Sequence, residues 1–512
     1  MFGRSLKKSL VLLLTIAFFA MSISVQSSVS ATSKIDTSYP PVELQWYVIG
    51  NGQQADTDLV LKKVNEYIEP KLYATLKLET FMWGYDFEDK MAAKIASGEN
   101  FDITFASYWA LNYRDWASKG AFVDITDMMD IYAPKTKAIL GENLFKGAEV
   151  NGKVYGIPTF GTSSADSYGV LLNKKMVAKY KVDTTKIKKL EDLEPTFKKI
   201  KASNPKILDF YPFSQNSNFI YSYSIYNTLN YDKLYDANVP GAVKRDGKST
   251  KVVNDFETPE AKSLFNLMNK WYKSGYINKS TYSSDIYFMK NASNIFAFYS
   301  TLEPTKCQDI SAAYGIDTVP VELSSRTMTT FNSTESMQAI SRTSKNPERA
   351  LMFLELLNTD VYLSNLINYG IEGVHYKKTG NQSISQLTNG LDSYYGLDSY
   401  NPGTSWMFGN QSIVYSLPGY SPAITSEKNL RAYINKAVVS PLLGFSFNSK
   451  PVLTQLTKFE KITNKYLTNL CIGKVNPSTN LQKMNNEFKN AGLQKVLTEM
   501  QKQVDAFVKA NY

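Results

Sequence analysis

Aromatic side chains just past the ends of apolar runs are the residues of this sequence best suited to hold a small molecule. Trp83 and Tyr85 follow the run 76–81, and Tyr108, Trp109 and Tyr113 follow the run 101–106. If those runs are strands of an open α/β sheet, the ligand crevice lies beyond their carboxyl ends, where these rings stand. Flat aromatic faces suit the C–H faces of sugar rings, and Asn112, Asp166 and Asn410 can exchange hydrogen bonds with hydroxyls. Trp271 is of another kind, because it shares a helical face with Leu264 and Met268 and reads as core.

Bond-breaking chemistry finds little to work with. The 512 residues include one histidine, His375, and two cysteines, Cys307 and Cys471. Zinc sites of four cysteines, of two cysteines with two histidines, or of three histidines are thereby excluded within one chain. A Ser-His-Asp triad would have to use His375, which sits in the Gly-punctuated stretch Gly370-Ile371-Glu372-Gly373-Val374-His375-Tyr376 and reads as a hydrogen-bonded structural residue. No phosphate-cradling Gly-rich loop, H-E-x-x-H, nucleophile elbow or calcium loop occurs. A carboxylate pair drawn from Asp86, Glu88, Asp89, Asp166 and Glu303 is what a secreted glycosidase or polysaccharide lyase would need, and such an enzyme is the alternative to a binding protein. Single solvated acids are the commoner occurrence, so no catalytic residue, metal or cofactor is expected. Whether Cys307 and Cys471 pair stays open, since spacing along the chain does not measure distance.

The elements that must position the rings follow from periodicity. Residues 42–49 (VELQWYVI) read as a buried strand, Gly50-Asn51-Gly52 breaks it, and Val60, Val64, Tyr67 and Ile68 then share a helical face. Strands at 76–81 and 101–106 alternate with helices near 87–96 and 113–118, which predicts a mainly parallel sheet. Further strands are expected at 154–158 and 168–172. Thr258-Pro259-Glu260 and Asn346-Pro347-Glu348 each open a helix with a capping residue followed by Pro at the first helical position. The end of the chain differs: helices at about 452–470, 480–490 and 493–509 predict a helical C-terminal module.

Composition, 43% hydrophobic and 20% charged, excludes a disordered or collagen-like chain. Arg4, Lys7 and Lys8, an apolar run 10–20 and Val29-Ser30-Ala31 have the order of a secretory signal peptide, predicted to span residues 1–31. No cysteine near that cleavage site offers an acyl anchor, so the protein is expected outside the cytoplasm, extracellular or associated with the cell envelope. The formal net charge of +10 raises the question of an acidic partner. Yet residues 441–512 carry ten Lys and no Arg against four acids, so most of the excess lies in the helical tail. Only seven Arg occur in the whole chain, whereas base and phosphate recognition favours the guanidinium fork, and no nucleic acid is expected as partner. A nearly neutral remainder suits an uncharged ligand.

Several segments together resemble one family, the extracellular solute-binding proteins of bacterial ABC importers, in particular the carbohydrate-type group called family 1. The likeness rests on the export signal, Phe101-Asp102-Ile103-Thr104 leading to Trp109, and Ser118-Lys119-Gly120-Ala121-Phe122 before Asp124-Ile125-Thr126-Asp127. It rests also on Asn151-Gly152-Lys153-Val154-Tyr155-Gly156-Ile157-Pro158, Asn173-Lys174, Met337-Gln338-Ala339-Ile340-Ser341 and Ser344-Lys345-Asn346-Pro347-Glu348-Arg349-Ala350. The stretch 368–376, Trp406-Met407-Phe408-Gly409-Asn410 and the tail from Ala491 resemble a subgroup with an extra C-terminal domain of unknown function.

The resemblance implies an α/β fold: a two-lobed periplasmic-binding-protein-like clamp with discontinuous lobes and a hinge, plus the helical C-terminal module. Lobe 1 would take residues 32–158 and about 332–405, lobe 2 residues 159–331 and about 406–440, and 441–512 would pack on the clamp. The ligand-binding residues would be Trp83, Tyr108, Trp109 and Asn112 from the first lobe, Asp166 and Tyr299 from the second, and Trp406 and Asn410 from the late crossover. The implied partners are a carbohydrate ligand and the permease subunits of an ABC transporter, with the receptor itself a monomer.

Overall fold

The computed structural model describes residues 41–511 except 214–224, 237, 278–287, 289, 388–398, 401 and 403–405, and the expected signal peptide lies outside these. The strand Val42–Gly50 is buried without a break from Trp46 onward, the pattern of a strand covered on both faces. It pairs in parallel with Ala74–Met82 and with Ile103–Ala106, and Met337–Ile340 and then Gly156–Pro158 extend the sheet. Met337–Ile340 runs antiparallel to both of its neighbours, because the chain re-enters this layer from the other half of the molecule. The helix Thr57–Leu72 covers the sheet with Val60, Leu61, Val64, Ile68 and Leu72, and Pro347–Thr359 adds Leu351, Phe353, Leu354 and Leu357.

A second sheet has the order Thr318–Glu322, Tyr168–Asn173, Ile295–Thr301, Leu208–Tyr211. The strands from which a parallel sheet was expected do pair in parallel in the first sheet, whereas in this one Tyr168–Asn173 is antiparallel to both neighbours and only Ile295–Thr301 with Leu208–Tyr211 is parallel. The chain enters this lobe through the crossing, so its first strand lies centrally and later strands arrive from either side. Each sheet has its own apolar core, and these two cores are the lobes.

Three segments run between the cores, and they hydrogen-bond to one another. Asp166 and Thr327 exchange backbone N–H···O bonds at 3.1 and 2.8 Å, and Thr327–Met328 pairs in parallel with Val438–Val439. Strand pairing of this kind fixes the spacing of the crossings while leaving each one a short, bendable link.

The expected boundaries need one correction. Residues 406–440 were assigned to lobe 2, but Met407, Phe408 and Leu430 are buried in the first core, with Ile434 and Ala437 packed against it. The late crossover therefore lies at 437–445, where Leu443 still belongs to the first core and Leu442 and Phe445 to the second.

The C-terminal helices Leu453–Cys471, Pro477–Asn490 and Leu493–Asn511 appear as their periodicity predicts. Their buried faces, with Phe459, Leu467, Met484, Phe488, Val496 and Met500, merge into the second core rather than forming one of their own. The seam is specific. Asn269 Nδ2 donates to the carbonyls of Gly473 and Val475 at 2.7 and 3.0 Å. Gly473 has φ +73°, and a Cβ there would collide with the Met268 carbonyl, so the close approach requires glycine. Trp271 is fully buried edge-on to Phe197 at 4.9 Å, in the core position its helical spacing predicts. Cys307 and Cys471 are both free thiols.

Candidate functional site

Three tryptophans from distant parts of the chain converge at the carboxyl ends of the first sheet. Trp83 and Trp406 lie nearly parallel with centroids 6.1 Å apart, Trp109 stands 6.0 Å from Trp406 at 46°, and Phe105 supports both Trp109 and Trp406 from below. Trp83 and Trp109 remain 41% and 40% exposed, far more than their apolar area would warrant in a core.

The two exposed rings, Trp83 and Trp109, are each aimed by a hydrogen bond from the indole N–H. The Trp83 indole N–H donates to Asn51 Oδ1 at 2.7 Å, and that of Trp109 to the Glu335 carbonyl at 2.8 Å. The loop carrying Trp109 turns on Ser107, whose Oγ accepts from the backbone of Trp109 and Ala110 at 3.1 and 2.7 Å. Leu111 takes the left-handed conformation at φ 44°, and Glu88 Oε1 accepts its N–H at 3.0 Å. Trp406 comes in on a segment whose Met407 carbonyl accepts from Thr159 Oγ1 and Gln338 Nε2 at 3.4 and 3.2 Å. With both exposed indole N–H groups committed, these two tryptophans offer a ligand their π faces, which suits the C–H faces of pyranose rings.

The remaining expected residues divide. Tyr108 is half-exposed on the Trp109 loop, edge-on to Phe331 at 5.0 Å, with its N–H on the Thr334 carbonyl. Asn112 is spent locally: its Oδ1 caps the helix Tyr113–Ser118 by accepting from Asp115 N at 3.1 Å. Asn410 is buried, its amide donates to the Asn358 carbonyl and its Oδ1 accepts from Ser412, so it closes a turn of the crossover instead of facing a solute. Tyr299 is fully buried in the second core, stacked on Tyr168 at 6.3 Å with its hydroxyl accepting from Asn227 Nδ2 at 3.2 Å. A residue in the middle of a central strand has no open face to offer, which removes it as a contact. Tyr85 opens the helix Tyr85–Ser97.

Asp166 sits in the hinge ladder. One carboxylate oxygen accepts from the Tyr168 hydroxyl at 2.8 Å, and the other is buried with no hydrogen-bond partner. Burial raises its pKa against the pull of the Arg245 guanidinium, itself bound to Asp232 at 2.7 Å. Glu335, beside the Trp109 indole, is pushed up to about 8 by burial, then by the carboxylates Glu303 and Asp166, with Lys306 opposing. Nothing in the sequence marks Glu335, Asn51 or Ser107, since their roles arise from contacts across the fold.

Two of the acids that a carboxylate pair could use are engaged elsewhere: Asp86 pairs with Lys90 at 3.0 Å, and Glu88 holds the Trp109 loop. His375 is structural as its loop suggests, accepting the Ile371 N–H on Nδ1 and meeting Asp56 through Nε2 at 3.2 Å. Among the described residues, no His, Cys, Asp and Glu group has the makings of a metal site.

Two apolar cores joined by three hydrogen-bonded crossings are the architecture of a two-lobed solute-binding protein. Residues 73–371 match the bacterial extracellular solute-binding proteins, and residues 441–509 match a domain of unknown function, DUF3502. The chain belongs to the bacterial extracellular solute-binding proteins. It is 29% identical over 506 residues, 97% of each chain, to a carbohydrate ABC transporter substrate-binding protein of Streptococcus pneumoniae serotype 4. The crystal structure of the N-glycan transport solute binding protein NgtS from Streptococcus pneumoniae has a TM-score of 0.77 to it, with 28% identity over 92% of this chain and 100% of that one. In complex with Man5GlcNAc the same protein gives 0.62, over 92% and 99%. An HMO binding ABC-transporter associated solute binding protein from Bifidobacterium longum infantis, 15% identical over 91% of this chain and 99% of that one, shares the fold at a TM-score of 0.63.

Proposed function

We propose that this chain is a non-enzymatic receptor that takes a neutral oligosaccharide between its lobes and delivers it to the permease of an ABC importer. The observation that carries the reading is the cluster of Trp83, Trp109 and Trp406, in which Trp83 and Trp109 are exposed and flank the half-buried Trp406. Centroid spacings of 6.1 and 6.0 Å give it the length of more than one sugar ring, so an oligosaccharide fits better than a monosaccharide. Tyr108 completes the first-lobe side and Asp166 waits at the hinge as a hydroxyl acceptor. The relative that carries N-glycan fragments supports a mannose-containing glycan ending in N-acetylglucosamine as the ligand.

Binding works by population shift: a glycan resting on the tryptophans meets the second lobe only when the hinge closes, and that extra affinity moves the equilibrium. The higher similarity to the NgtS structure at 0.77 than to its two glycan complexes, at 0.65 and 0.62, supports a mobile hinge in this architecture. Export by the N-terminal segment and a monomeric state belong to the same reading. Isothermal titration tests it. Man5GlcNAc is expected to bind and to be recovered uncleaved, and failure of every neutral oligosaccharide tried to bind would overturn it.

A further inference from the structure

The C-terminal module is rooted in the second core, yet the far end of its last helix, Leu493–Asn511, reaches the first lobe. Val496, Met500 and Val504 bury the helix in the second core, and Phe507 then stands edge-on to Phe445, ring centroids 5.6 Å apart, where the late crossing enters that core. One turn beyond, Asn511 Oδ1 accepts from Lys146 Nζ at 3.0 Å, at the end of the first-lobe helix Pro134–Gly147. Gly444 of the crossing sits between these contacts. Its φ is +90°, and a Cβ there would stand 3.1 Å from the Lys146 carbonyl oxygen and 3.8 Å from the Phe507 ring, so first lobe and module press on the same residue and the seat requires glycine. The first lobe also grips that residue directly. The Gly444 carbonyl accepts from the buried Arg114 guanidinium, which donates also to the Gly147 carbonyl at 3.3 Å, and the Gly444 N–H donates to Thr330 Oγ1 at 2.8 Å. From the module side, Gln503 holds the chain just past the crossing, its Oε1 accepting the Asn448 N–H at 2.8 Å and its Nε2 donating to the Asn448 carbonyl at 3.0 Å.

We infer that the C-terminal domain is a brace on the hinge: it pins the late crossing at Gly444 and Phe445 between the two lobes and makes that point the pivot about which they close. The exposed Lys146–Asn511 bond by itself would fix little. The inference rests on the convergence of a first-lobe guanidinium, a first-lobe helix end and a module aromatic ring on two consecutive residues of one crossing. Hinges concentrate the backbone change of closure in a few residues, so with this crossing pinned the change falls on the other two, at 159–166 and 326–334. A pivot already fixed has less freedom to lose when a solute draws the lobes together, and the brace therefore lowers the entropic cost of binding. None of this depends on which solute is bound.

Hydrogen–deuterium exchange on the full mature chain tests the brace without any glycan. Phe507→Ala is expected to speed amide exchange in residues 437–445 about tenfold, while the second-lobe strand Ile295–Thr301 exchanges as in wild type. Lys146→Met keeps the length of the side chain but loses the donor to Asn511, and it should give a smaller rise of about twofold in the same segment. This first-lobe variant decides the matter should Phe507→Ala fail to fold. Unchanged exchange at 437–445 in the folded variants overturns the inference, as does an equal rise in Ile295–Thr301, which would mean a general loosening of the second lobe. Isothermal titration of Man5GlcNAc then reads the consequence for closure. Phe507→Ala, which belongs to no part of the tryptophan cluster, is expected to bind about threefold more weakly than wild type. Unchanged affinity in a variant whose crossing has loosened overturns the role in closure. Should wild type bind no glycan, the proposed ligand falls, while the exchange result still decides the brace.

Discussion

The two lobes use tryptophan in opposite ways. In the first, Trp83 and Trp109 stand exposed past strand ends, each held by a hydrogen bond from its indole N–H to another segment, with the half-buried Trp406 between them. In the second, Trp271 lies on a helix face against Phe197 and Phe210, fully enclosed, and even the cleft-side candidate Tyr299 is sealed beneath its sheet. The same side chain is a binding surface where a strand stops and a structural wedge where a helix packs. The second lobe also gains a layer the first lacks, because the C-terminal helices complete its core.

That contrast can be broken in several places. Deleting residues 441–512 would bare Phe256, Met268 and neighbouring second-lobe core residues, and the expected result is loss of cooperative unfolding of that lobe by calorimetry. Survival of an intact, soluble clamp would mean the module is an appendage. Trp271→Ala leaves a large void and should cost about 3–5 kcal/mol in urea unfolding, with glycan affinity unchanged in the protein that remains folded. Trp109→Ala should do the reverse: stability within about 1 kcal/mol of wild type, but glycan affinity down by about 2 kcal/mol, roughly thirtyfold by titration calorimetry. Equal effects on stability from both substitutions would erase the distinction between the lobes.

Tyr299→Phe removes a buried hydroxyl that accepts from Asn227 and should cost about 1 kcal/mol of stability without touching affinity. A drop in affinity would restore Tyr299 as a ligand contact. Glu335 adds a pH-dependent test of melting temperature. Its raised pKa means the folded state holds a proton that the unfolded chain has lost between about pH 4.5 and about pH 8, so wild type loses stability as pH rises through that window. Glu335→Gln should therefore melt higher than wild type above pH 8, and an unchanged difference from pH 5 to pH 9 would show that the carboxyl is not displaced.

Much of this architecture was legible residue by residue. The alternation of apolar runs and amphipathic helices at the start of the chain, the Thr258-Pro259 cap and the C-terminal helices rest on local rules and appear with small shifts at their ends; the helix at Pro347 also opens where expected, but Asn346 makes no side-chain cap hydrogen bond. Local rules fail where a segment's partners lie far away in sequence. Strand direction in the second sheet depended on the crossing, and 406–440 looked like second-lobe chain until Met407, Phe408 and Leu430 were seen in the first core. Among the site residues, the rings following strands were readable, while the polar ones were not: Asn112 and Asn410 carry side chains that satisfy nearby backbone as readily as they meet a ligand.

What the sequence determined by itself was the class of element at each position and the shortage of reactive groups, because periodicity, capping and composition act within a few residues. Only the tertiary structure decided which aromatic rings stay open, which asparagine oxygens are spent, and that the Glu335 carbonyl holds the Trp109 indole. Those properties depend on burial and on neighbours up to hundreds of residues away, such as Glu335 beside Trp109, and no local pattern encodes them.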